Sequence, residues 1–121
     1  MKSRKPSETF RDLIVWQKAH KLVLAVYRQS RQYPKEEMYA LTSQIRRSAM
    51  SVAANIVEGF RKKGSADKIR LMNIAQGSLA ETEYYLILAN DLEYADTELL
   101  MTQADEVGRI LDSYMKAINE H

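Results

Sequence analysis

Glu58 and Glu81 are the two carboxylates whose setting invites a chemical reading. They lie in the runs Asn55-Ile56-Val57-Glu58-Gly59 and Gly77-Ser78-Leu79-Ala80-Glu81. Paired carboxylates can share general-acid and general-base work when their surroundings separate their proton affinities. Neither has a base or nucleophile beside it, so ion pairing with Arg46 or Arg47 is the expectation. The histidines are His20 and His121, and neither follows a glutamate at the three-residue spacing that a di-metal bundle site uses. His20, near Trp16 and Leu24, is expected to be a hydrogen-bonded structural residue. Gly59 and Gly64 do not form a phosphate loop, and neither a zinc helix motif nor a hydrolase elbow occurs. With no cysteine, thiol nucleophiles, disulfides and zinc-thiolate sites are excluded. No catalytic residue, metal ligand or cofactor is assigned, and the chain is read as non-enzymatic.

The remaining chemistry is charge. Residues 1–70 hold 16 Lys and Arg against 6 Asp and Glu, whereas residues 71–121 hold 2 against 10. Such a split points either to a polyanion partner or to basic helices packed beside acidic ones, within the chain or between copies. Arg61, Lys62, Lys63, Lys68 and Arg70 form the densest cationic cluster and are the candidate nucleic-acid-binding residues. Phosphates reward such clusters through counterion release, with little sequence preference and steep salt dependence. No recognition-helix signature or aromatic RNA platform accompanies them.

The elements that must position these residues are helices. Four glycines and two prolines are too few for an all-β chain. Helical spacing runs through about residues 9–32, 35–62, 66–92 and from Asp96 or Thr97 to the C-terminus. In the first run Leu13, Trp16, Val23, Leu24 and Tyr27 are expected to face the core, with Val15, Ala19, Leu22 and Val26 as an apolar surplus. Pro34 suits the first turn of the second helix, and Met38, Leu41, Ile45, Ala49, Val52, Ile56 and Phe60 form its stripe. Gly64 is expected as a left-handed residue just past that helix, and Ser65 as the cap of the third. Residues 1–8 are expected to be a flexible basic tail and 9–121 one antiparallel up-down-up-down four-helix bundle. With 121 residues, 45% hydrophobic and 28% charged, and no run approaching the length of a membrane span, a cytoplasmic protein without a membrane partner is expected.

The second helix carries more than one interactive face. Arg47, Ser51, Asn55 and Glu58 form a row placed opposite the core stripe. Met50, Ala53 and Val57 form a flank, and Ala54 is one of several small residues that would admit a close neighbour. Burying each such apolar side chain is worth about 1.5–3 kcal/mol. Arg47, Met50, Ser51, Ala54, Asn55, Val57 and Glu58 are therefore the candidate contacts of a homo-oligomer.

Three segments carry a family resemblance: DLIVWQKAHKL at 12–22, YPKEEMYALTSQIRRSAMSVAANIVEGFRKK at 33–63 and MNIAQGSLAETEYYL at 72–86. The chain resembles the bacterial four-helix-bundle proteins named after intervening sequences in 23S rRNA genes, from about residue 9 to 118. Arg46, Arg47, Asn55, Glu58, Gly77, Ser78 and Glu81 match the family's motif positions. Val57 stands where the family usually has alanine, and Ala53-Ala54 where proline is common. The resemblance implies a bundle assembled as a ring of five, with no established catalytic activity. It also implies kinship with accessory proteins of diversity-generating retroelements, which act beside a reverse transcriptase and its RNA. The expected function is thus a homo-oligomer, a homopentamer by the resemblance, that binds RNA or DNA, or a protein that handles it, through a basic rim. The competing expectation is a structural scaffold for protein interactions with no nucleic-acid role.

Overall fold

The computed structural model describes residues 7–120. The expected flexible tail, residues 1–8, lies outside these except for Ser7 and Glu8. Four α-helices carry the fold: α1, Ile14–Ser30; α2, Leu41–Arg61; α3, Ser65–Asp91; and α4, Glu98–Asn119. Among the described residues there is no strand. Each helix packs on two others, α1 on α2 and α4, α3 on α2 and α4, and the diagonal pairs do not meet. Pairing along α2 and α3 runs in reverse order. Gly59 lies against Leu71 and Met72, Ser51 bonds Ser78, and Ser48 bonds Thr82.

The core follows from helical periodicity, with one inversion. Ile45, Ala49, Val52 and Ile56 of α2 are fully buried, as are Met72, Ala75 and Leu86 of α3 and Ala104, Val107 and Leu111 of α4. On α1, however, the core set is Val15, Ala19, Leu22 and Val26. The larger set expected there stays half-buried, and Leu24 is exposed. Both sets have helical spacing. The smaller side chains win because they let α1 approach its neighbours, while Trp16 and Tyr27 are used at the edge facing α2.

Helix ends account for the other departures. A 3-10 turn, Phe10–Asp12, precedes α1 and is closed by a reciprocal cap between Thr9 and Asp12. Glu8, the last residue of the expected tail, donates its backbone N–H to Asp12 Oδ2 at 3.0 Å. Pro34 opens a separate 3-10 turn, Lys35–Glu37, and Ala40 leaves helical geometry at φ −122° and ψ −106° before α2 begins. Met38 consequently lies outside the stripe and is exposed. Glu37 serves the start of α2, accepting the Leu41 N–H at 3.3 Å and the Tyr94 hydroxyl at 2.7 Å. Gly64 is not left-handed: its φ is −85°, and it is the N-cap of α3, with Ser65 the first helical residue. The left-handed C′ residue of the fold is Glu93, φ 61°, past the end of α3. There the Tyr94 N–H bonds the Ala89 carbonyl and the Glu93 N–H the Asn90 carbonyl, a Schellman closure. At α4, Asp96 Oδ1 accepts the Glu98 N–H, whereas the Thr97 hydroxyl donates to the Leu86 carbonyl.

Candidate nucleic-acid end and the outer faces of α2 and α3

The basic end forms where α2 stops and α3 starts. Arg61 and Lys63 are exposed and Lys62 is half-buried. Lys68 points back onto α2: its Nζ donates to the carbonyls of Gly59 at 3.2 Å and Phe60 at 3.1 Å. That satisfies carbonyls left open at a helix C-terminus and sets a cation against the negative end of the dipole. Lys68 therefore belongs to the cap of α2 more than to a phosphate-binding surface. Arg70 forms an exposed pair with Asp67, Nε to Oδ1 3.8 Å, which solvent screens. Arg61, Lys62 and Lys63 remain as the outward cations of this end. At the same end Ser65, Lys68, Tyr114, Ala117 and Ile118 line a shallow hollow. Burial pushes the Tyr114 hydroxyl above its ordinary proton affinity.

The polar row of α2 is not uniformly turned to solvent. Arg47, Ala54 and Glu58 are exposed, but Ser51 and Asn55 are half-buried at the α3 side. Ser78 of α3 donates to Ser51 Oγ at 2.8 Å, and Asn55 Nδ2 donates to the Ser51 carbonyl at 2.8 Å and to its Oγ at 3.0 Å. Deeper in the same seam the hydroxyls of Thr82 and Ser48 are 2.8 Å apart. Ser51 and Asn55 thus spend hydrogen bonds within the protomer. Met50 is exposed and accepts a hydrogen bond at Sδ from the Tyr27 hydroxyl, 3.4 Å away, while Val57 is half-buried.

The ion pairs expected for Glu58 and Glu81 do not form among the described residues. Arg46 turns to α1 instead, donating from Nε to Ser30 Oγ at 2.8 Å with its guanidinium 4.7 Å from the centre of the Tyr27 ring. Glu81 Oε2 accepts from the Tyr85 hydroxyl at 3.4 Å. His20 is an exposed residue whose ring stacks on Trp16, centroids 5.0 Å apart and planes 6° from parallel, not the hydrogen-bonded histidine expected.

One feature was not among the expectations from sequence. α3 exposes Ile74 at 43%, Tyr84 at 57% and Ile87 at 47% at separate points around the helix, and the helix has almost no amphipathic asymmetry. The signal was present: apolar residues recur all round α3, a pattern that marks a helix covered on more than one side. The charge split expected from the sequence falls between the helix pairs. Between them α1 and α2 hold six Lys and Arg and one acid, whereas α3 and α4 hold four Lys and Arg and eight acids. Yet Lys18–Glu106, 3.4 Å, is the one ion pair between helices among the described residues. On the acidic side, burial and then the charge of Asp105 raise the proton affinity of Glu83.

Fold and surface together define an all-α, four-helix protein with segregated charge. Its sequence matches the 23S rRNA-intervening sequence proteins over residues 11–113, and the chain belongs to that family. A crystal structure at 1.70 Å of a protein of unknown function from the S23 ribosomal protein family of Bacteroides thetaiotaomicron VPI-5482 is similar, with TM-score 0.77 and 29% identity over 85% of this chain and 96% of that one. No curated protein matches the chain. No helix among the described residues is long and apolar enough to cross a membrane.

Proposed function

We propose that this chain is a non-enzymatic, cytoplasmic, antiparallel up-down-up-down bundle that works as a homo-oligomer and binds nucleic acid through the end carrying Arg61, Lys62 and Lys63. The observation that carries the reading is charge left unmatched: cations gather on α1, α2 and this end, and a single ion pair, Lys18–Glu106, ties them to the acidic helices. Phosphate backbones supply the missing anions and release their counterions on binding. Repetition of the end around a ring, five-fold by the family resemblance, would multiply a weak contact by avidity. The surface for joining copies is the outer face of α2 at Arg47, Ala54 and Glu58 together with Ile74 of α3.

Titration of labelled RNA and DNA at two salt concentrations tests this reading. Affinity should fall steeply with salt, and reversing Arg61, Lys62 and Lys63 to glutamate should abolish binding without changing particle mass. Absence of binding at low salt would contradict it and leave the scaffold reading, which the exposed Ile74, Tyr84 and Ile87 of α3 favour.

A further inference from the structure

Between α1 and α2 runs a surface with aromatic rings and cations and no acid. On α1 there is no acidic residue, and the single one on α2, Glu58, is exposed on the outer face with Arg47 and Ala54. The pairing of Tyr27 with Met50 and of Ser30 with Arg46 fixes the register of the two helices. Continued toward the other end, that register sets Trp16 across from Phe60 and Arg61, beside the basic end. Trp16 is held there by the Phe10 ring, edge-on at 5.1 Å, and by His20 stacked on it. His20 itself is exposed. Farther along come exposed Leu24, then Tyr27 under the Arg46 guanidinium, then exposed Arg31. From Trp16 to Arg31 the helix rises about 22 Å.

We infer that this α1–α2 face, from the Trp16–His20 stack to Tyr27 and Arg46, is a track for single-stranded nucleic acid, with a base continuing the stack on His20. The inference rests on the nucleic-acid reading above and extends it from the basic end onto the side of the bundle. A single strand offers phosphates to the cations and π-faces to the rings, whereas a duplex hides its bases. Arg46 spends part of its five-donor fork on Ser30 Oγ and on the Tyr27 carbonyl, 3.5 Å away, and retains donors for phosphate. No sequence preference is expected, since stacking accepts every base.

Trp16 is the chain's one tryptophan, so its emission reports on this face alone. The full chain is titrated with a short oligouridylate, an oligothymidylate and a duplex of equal length, with anisotropy of the labelled strands read in parallel. The single strands should quench Trp16 and the duplex should not. His20→Ala should weaken single-strand binding roughly five-fold or more while leaving duplex binding at the basic end unchanged. Arg31→Glu, at an exposed site distant from Trp16, should also weaken single-strand binding. Anisotropy showing tight binding with unchanged emission, and full affinity in both variants, would overturn the track and leave the basic-end reading intact. No anisotropy change for any strand would overturn both. Quenching that follows protein concentration without nucleic acid would show that a second copy covers this face, and would also overturn the proposal.

Discussion

Lys68 closes the end of α2 over Phe60: its ammonium donates to the Phe60 carbonyl at 3.1 Å and sits 5.7 Å from the centre of that residue's ring. A residue that reads in sequence as one more surface cation is thereby a helix cap from the next helix. Lys68→Ala should lower stability by about 1 kcal/mol, the scale of a partly exposed charged hydrogen bond at a helix C-terminus. It should lower nucleic-acid affinity less than Arg61→Ala does. Urea denaturation and salt titration of both variants check the pair of outcomes.

The seam between α2 and α3 depends on hydroxyls that satisfy one another. Thr82 is fully buried, and its hydroxyl reaches both Ser48 Oγ and the Ser78 carbonyl, 2.9 Å away. Thr82→Val should cost about 0.5–1.5 kcal/mol by removing the bond to Ser48, whose hydroxyl still donates to the Ile45 carbonyl, and adding Ser48→Ala should cost less than the two single changes combined. A double-mutant cycle by chemical denaturation measures the difference.

Glu93 holds a left-handed φ of 61° without being glycine. Glu93→Gly should raise stability by about 0.5–1 kcal/mol, because the Schellman closure at Tyr94 and Ala89 no longer opposes the Cβ. A higher thermal midpoint with unchanged helicity is the expected result.

Tyr33 gives the fold a limit at high pH. Burial pushes its hydroxyl to about 12, above the ordinary 10.0. The folded chain therefore holds this proton more tightly than the unfolded chain, so the contribution is complete below pH 10 and is lost as pH rises toward 12. Tyr33→Phe should flatten the decline in stability across that interval, read by denaturation at stepped pH.

The four helices were legible because a core stripe at steps of three and four survives any detail of packing, as Ile45, Ala49, Val52 and Ile56 show. Choosing between two valid stripes on α1 was not possible by spacing alone. Trp16 and Tyr27 outweigh Val15 and Ala19 in apolar bulk, yet rings that stack on His20 or carry Arg46 need an edge, not a centre. The basic end was legible as a run of like charges at 61–63. That Lys68 would cap α2 was not, because the contact depends on how closely α3 doubles back. The row from Arg47 to Glu58 was legible as a face, whereas its division between solvent and the Ser78 seam required the neighbouring helix.

Copies must join if the apolar surface of α3 and the outer face of α2 are to be covered, and the native particle mass measures this most directly. Sedimentation equilibrium at micromolar concentration should give a defined multiple of the 14.0 kDa chain. A well-folded species that stays at 14.0 kDa would contradict the account.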